Sequence, residues 1–215
     1  VNYQFQFDAV LAAWPLLLKG TWITVQLSLT ATVLGLVVAI FCAWGKTGGP
    51  LWLRFLISAY IEVIRNTPFI VQLFFFFFAL PSIGLRWSPY TAALTAMVVN
   101  LGAYAAEIVR AGIESIPKGQ IEAGKALNLK PWEIFRFVIL KPALKAIYPA
   151  LTSQFILLML SSAVVSVISA DDLTSVAANL QSQTFRSFEI YIVVAVIYLT
   201  LALSFSALFK LIYQR

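Results

Sequence analysis

Along the chain, long apolar runs alternate with short polar ones, and one polar run stands apart in length, Pro117 to Pro142. The apolar runs predict membrane-spanning helices at about residues 21–44, 52–80, 90–112, 147–169 and 189–210. Thr21 to Trp44 carries no charge. At ~1.5 Å per residue it reaches roughly 36 Å, enough for a tilted crossing of a ~30 Å hydrocarbon core. Ahead of it, Asn2 to Lys19 mixes Trp14, Pro15 and Leu16 to Leu18 with Asp8 and Lys19. That mixture suits a short helix lying in the interface, with Trp14 at headgroup depth. Between the fourth and fifth spans, Asp171 to Arg186 reads as a polar loop.

Composition agrees with the pattern. The chain has 215 residues, 61% hydrophobic and 11% charged, where soluble domains run about 45–50% apolar and about 25% charged. The expectation is an all-α integral membrane protein forming one domain over residues 1–215: five transmembrane helices, an N-terminal interfacial helix and a helix in the polar stretch. A single cysteine, Cys42, and no histidine exclude an internal disulfide, a cysteine metal cluster and histidine catalysis. Gly45-Lys46-Thr47 looks like the tail of a phosphate-binding loop, but Ile40 stands where that loop needs glycine and no strand precedes it. Gly45 to Pro50 is therefore read as a turn.

The net charge of +6 would suggest nucleic acid in a soluble protein. Here its distribution gives a different reason, and no nucleic-acid partner is expected. With Pro117–Pro142 placed in the cytoplasm, Lys46, Arg54, Arg65, Arg110, Lys118, Lys125, Lys130, Arg136, Lys141, Lys145, Lys210 and Arg215 fall on or near that side; only Lys19, Arg86 and Arg186 fall on the other. Such a bias puts the N-terminus outside and the C-terminus inside.

Several polar residues interrupt the spans. The second contains Glu62, Arg65, Asn66, Thr67, Pro68 and Gln72. Pro68 disfavours helix at Thr67 and removes a backbone donor, so a break is expected there. Charged and broken backbone at membrane depth must line a cavity or be buried in protein. Glu62 and Arg65 either belong to such a pathway or pair with each other. In the third span Asn100, Tyr104 and Glu107 share one helix face, either as interhelical hydrogen-bonding groups or as a pathway wall. Ser161 and Ser162 offer hydroxyls in the fourth.

Within the long polar stretch, Pro117 suits a helix's first turn. Gly119, Ala123 and Ala126 follow at i, i+4 and i+7, a narrow face of small residues that lets another surface approach closely. Asn128 tolerates a left-handed helix end. Pro131 starts a second helix with Trp132, Phe135 and Ile139 on an apolar face, and Pro142 is expected to stop it. Spacing alone leaves an ordinary amphipathic loop as the alternative.

Glu122-Ala123-Gly124, with Pro131-Trp132 and Phe135 to Leu140 downstream, resembles the EAA loop of ABC-importer membrane subunits. Asn100 to Tyr104, Glu107 to Ile113 and Gly119-Gln120 resemble the polar amino acid permease branch of that family. So do Arg65-Asn66-Thr67-Pro68 and Val71-Gln72-Leu73-Phe74. The likeness extends from about Gly20 to the end. It departs from the family at Asn128, which stands where glycine is usual, and at Leu140-Lys141-Pro142, where the family's Leu-Pro pair is displaced. It also departs at Leu160, which precedes Ser161-Ser162 where a charged or amide residue is frequent; this favours a neutral or small substrate.

The resemblance implies a type I ABC importer permease in a bacterial cytoplasmic (inner) membrane. It implies an identical or homologous permease partner, two cytoplasmic ATPase subunits that use ATP and Mg, an extracytoplasmic substrate-binding protein and an amino acid substrate. No cofactor is expected in this chain, which carries no nucleotide-binding motif. Gly119, Glu122, Ala123, Gly124, Ala126 and Asn128 would then meet the ATPase, Glu122 through a charge-assisted hydrogen bond. Glu62, Arg65, Asn66, Thr67, Gln72, Asn100, Tyr104, Ser161 and Ser162 would line the substrate pathway, and the loop Asp171–Arg186 would meet the binding protein. The competing readings are a secondary transporter or channel subunit with Glu62 and Glu107 as an ion relay, a membrane enzyme, and a structural subunit beside a partner holding the substrate site.

Overall fold

The computed structural model describes residues 3–214; of the sequence expectations, those on Asn2 and Arg215 lie outside the described residues. The described chain is helical, with no strand. Its elements are α1 (Asp8–Ala12), α2 (Trp14–Gly48), α3 (Leu51–Arg65), α4 (Phe69–Phe74), α5 (Pro89–Glu114), α6 (Lys118–Ala126), α7 (Pro131–Glu133), α8 (Leu140–Ser161), α9 (Leu173–Thr184) and α10 (Ser187–Tyr213). α2, α5, the run Pro131–Ile168 and α10 are long and apolar enough to cross a membrane; α3 and Phe69–Ile83 meet the same test only when taken together, as a helix pair with a sharp break between them. The break falls where Pro68 predicts it: Asn66 closes α3, and Pro68 is the extended residue that starts α4.

The chain forms two compact units. One is built from Leu34–Asn66 and Val99–Gln154. Small residues set its helix spacings. A Cβ at Gly45 would lie 2.5 Å from Ile57 Cδ1, and one at Gly112 would lie 2.0 Å from Ile147 Cγ2, so α2 meets α3, and α5 meets α8, at glycine. These contacts explain one correction. Gly45 to Gly48 is not a turn but the last turn of α2, because Gly45 serves close packing against α3 rather than a reversal. A second correction concerns Pro142, which does not end a helix. The residues before it, Ile134–Ile139, form a wider π turn. That turn gives room where the proline ring would crowd the carbonyl of Val138, and the helix continues through α8.

The other unit comprises the chain up to Val33, Thr67–Val98 and the chain from Phe155. Its core joins Val10, Leu17, Leu173, Ala177, Ile190 and Val194. The N-terminal expectation is refined here: only α1 is a separate short helix, while Trp14 to Lys19 belongs to α2. Pro15 sits in the first turn of α2, where its missing N–H costs nothing.

Asp171 to Arg186, expected as a loop, holds the twelve-residue helix α9. The Asp172 carboxylate caps it, accepting hydrogen bonds from Thr174 N (3.1 Å) and Ser175 N (3.0 Å). Thr24 Oγ1 accepts from Leu173 N at 3.1 Å. Leu173, Val176, Ala177 and Leu180 then pack inward at helical spacing. Burial pushes the Asp172 carboxyl up from its ordinary value, against the hydrogen bonds that lower it. In α10, the fully buried Glu189 accepts from Tyr3 Oη at 2.6 Å and from Gln6 N at 2.9 Å, which ties the N-terminal segment down.

Candidate functional site

The polar stretch begins with α6, entered at Pro117 in an extended conformation. Its end is a Schellman motif. Asn128 adopts φ +58°, its N–H donates to Lys125 O at 2.9 Å, and Leu129 N donates to Gly124 O at 3.1 Å. Asparagine thus supplies the left-handed residue that glycine would otherwise supply. Gly119, Glu122, Ala123 and Ala126 are exposed, and a Cβ at Gly119 would meet nothing within 4 Å.

Gly124 differs from the expectation. It is buried, and a Cβ there would lie 3.2 Å from Ile134 Cγ1, so its small size lets α6 rest on the helix that follows. Sequence reasoning missed Leu127, which is 76% exposed beside the end of α6. Leu127 sets an exposed apolar side chain beside the small-residue face of α6. Its position directly before the left-handed Asn128 was the available signal.

The second span divides its polar residues. In the unit of Leu34–Asn66 and Val99–Gln154, Glu62, Arg65 and Asn66 are exposed at the end of α3. Arg65 does not pair with Glu62. Its guanidinium lies 5.3 Å from the centroid of the Tyr104 ring, and Tyr104 Oη donates to Arg65 O at 3.4 Å. Asn66 caps the helix, its Nδ2 donating to Glu62 O at 2.8 Å. Asn100 is half-buried.

In the other unit, Gln72 is buried and its Nε2 donates to both Thr67 O and Thr67 Oγ1 at 3.0 Å. These two groups hold the start of α4 together. Ser162 is fully buried and donates to Met159 O at 2.6 Å, whereas Ser161 is exposed. Polar residue type predicted a pathway role for all of these; the hydrogen bonds give Gln72 and Ser162 structural partners.

Glu107, a relay candidate, is instead held between two cations. Lys46 Nζ lies 2.7 Å from Oε1 and Arg110 Nη2 lies 2.8 Å from Oε2, with Arg110 also reaching Glu114 at 2.5 Å. A carboxylate clamped by two cations is a poor proton carrier. Among the described residues, no group of His, Cys, Asp and Glu is placed to hold a metal ion.

Known proteins resemble the chain in sequence and in fold. Residues 31–215 match the family model of the binding-protein-dependent transport system inner membrane component. The glutamine transport system permease protein GlnP of Escherichia coli (strain K12) is 38% identical over 99% of this chain and 98% of its own length. The octopine transport system permease protein OccM of Rhizobium meliloti is 34% identical over 96% of this chain and 85% of its own. Among solved structures, an amino acid ABC transporter crystallised with histidines has a chain 38% identical, with a TM-score of 0.93 over 99% of this chain and 100% of that one. The MetNI methionine ABC transporter, in an inward facing conformation, shares the fold at a TM-score of 0.78 and 24% identity, over 94% of this chain and 97% of that one.

Proposed function

This chain belongs to the family of binding-protein-dependent transport system inner membrane components, the permease subunits of ABC importers, and from that premise we propose that its cargo is an amino acid and that α6 is its contact with the ATPase. It is a multi-pass membrane protein and a transport subunit rather than an enzyme. Such permeases act with a partner permease, ATPase subunits and a binding protein. The finer reading is a pair of identical or homologous permeases served by two ATPase subunits that consume ATP with Mg. It places them in a bacterial cytoplasmic (inner) membrane with the N-terminus outside, α6 and the C-terminus inside, and an extracytoplasmic binding protein delivering substrate. The bias of basic residues supports that orientation.

The observation that carries the coupling role is the exposed face of α6, where Gly119, Ala123 and Ala126 leave the backbone approachable beside the uncovered Leu127. Leu127 enters an apolar pocket of the ATPase, and Glu122 adds a charge-assisted hydrogen bond at the rim. The buried Gly124 and the left-handed Asn128 fix the helix on its base so that it moves as one body with the ATPase. Replacing Glu122 or Ala123 by arginine is expected to abolish ATPase activity stimulated by the loaded binding protein while the complex still assembles in the membrane. Full stimulation in either variant contradicts the assignment.

For the cargo, the exposed Glu62, Arg65 and Asn66 at the end of α3, beside the half-buried Tyr104, offer a partner to each charge of a zwitterion. Arg65→Gln is expected to raise the apparent KM for uptake with little change in the amount of transporter. The exposed Ser161 hydroxyl is a separate candidate, and an unchanged KM and selectivity in Ser161→Ala removes it.

A further inference from the structure

Within the unit of Leu34–Asn66 and Val99–Gln154, a cleft of about 650 Å³ opens between the ends of α2 and α5 and the helix running from Phe135 into α8. Ile40, Trp44 and Thr47 line one side, Ile113 the second, and Ile139 and Leu144 the third. That volume falls among those of small-molecule sites, roughly 300–1,000 Å³. The lining is almost wholly hydrocarbon; its polar side-chain groups are the Trp44 indole N–H and the Thr47 hydroxyl, the latter already bonded to Ala43 O and Trp44 O in its own helix. The cleft therefore offers little to a polar solute, and it suits an occupant that is apolar along its length.

In a bilayer, hydrocarbon alone selects nothing, because lipid tails are as apolar as leucine. Selection comes from the mouth. Arg54 Nε donates to Gly49 O at 2.8 Å and its Nη2 to Thr47 O at 3.2 Å, which fixes the guanidinium beside the residue that ends the cleft. Among the described residues no carboxylate pairs with it. Arg136, next to Phe135 of the lining, lies over the rings of Trp132 and Phe137 at 5.9 and 5.7 Å and likewise has no acidic partner there. Lys46 is different, since Glu107 neutralises it. Trp44, 71% exposed at the same end, suits headgroup depth. The apolar slot thus ends beside the Arg54 guanidinium, which lacks a counter-charge, with Arg136 adjacent in sequence to the lining residue Phe135; guanidinium matches phosphate as a fork of donors.

We propose that this cleft holds one acyl chain of an anionic glycerophospholipid whose phosphate is bound by Arg54, with Arg136 adding to the positive field. The site is independent of cargo and of the α6 contact. The whole transporter, extracted in mild detergent, is titrated with dioleoylphosphatidylglycerol or dioleoylphosphatidylcholine, and bound lipid is counted by native mass spectrometry. The wild type is expected to retain phosphatidylglycerol in preference. Arg54→Gln should cut that preference about fivefold, the weight of one basic residue at a membrane surface, without changing retention of phosphatidylcholine. Leu144→Trp fills the slot from an exposed position and should lower retention of both lipids. Ile113→Trp, which fills it from α5, guards against one variant failing to fold, and each variant's ATPase activity reports its folding. Equal retention of the two lipids by the wild type, or an unchanged preference in Arg54→Gln, overturns the proposal. So does detergent alone in the slot, or a cross-link from Leu144→Cys to a second permease subunit, which would mean that protein covers the cleft.

Discussion

Asp172 carries two opposing duties. Its carboxylate caps α9, yet burial makes the charge unwelcome and pushes its pKa up. The sign follows from the raised value: the ionised form is disfavoured in the fold relative to the unfolded chain, so the cost is present near neutrality and is relieved as pH falls through the folded-state value. Asparagine keeps the capping oxygen and drops the charge. Asp172→Asn should therefore abolish the part of the stability gain on mild acidification that is due to this site, while Asp172→Ala should cost about 1 kcal/mol through the lost cap. Thermal unfolding of the assembled transporter at neutral and mildly acidic pH, compared across the two variants, measures both effects. A wild type and Asp172→Asn with identical pH dependence would remove the burial argument.

At the scale of elements, α6 and its turn were legible because their punctuation is local. Pro117 opens the helix, Asn128 closes it, and both act through their own backbone angles. The break at Pro68 was legible for the same reason. Gly45 misled because it answers to a neighbouring helix and not to its own φ and ψ. Helix α9 was hidden because its inward positions are few and its other residues are polar, although Leu173, Val176, Ala177 and Leu180 hold the helical interval. Two expectations test the elements. Asn128→Gly should preserve both stability and coupling, whereas Asn128→Val should cost about 1–2 kcal/mol, the penalty of a side chain in the left-handed region. Gly112→Ala should overpack α5 against α8 and cost about 1–3 kcal/mol, and Ile147→Ala in the same chain should recover part of it. No recovery in the double variant would mean that Gly112 matters for another reason.

At the scale of the molecule, an all-helical membrane chain and its family were readable from apolar runs and ordered motifs. The roles of individual polar residues were not, because a polar side chain in a membrane protein satisfies its hydrogen bonds either toward a pathway or inside the packing, and sequence does not record the direction. Gln72 and Ser162 turned inward to structural partners; Arg65 and Ser161 remained exposed. Glu107, clamped by Lys46 and Arg110, leaves an ion relay without its central carboxylate. The central claim is amino acid import driven by ATP hydrolysis in a partner chain. It is tested most directly in proteoliposomes containing the permease and its ATPase, with binding protein and a labelled amino acid panel on the outer side. The account predicts uptake that requires both the binding protein outside and ATP with Mg on the ATPase side, and that is insensitive to collapse of ion gradients. Uptake driven by a proton or sodium gradient without ATP would contradict it.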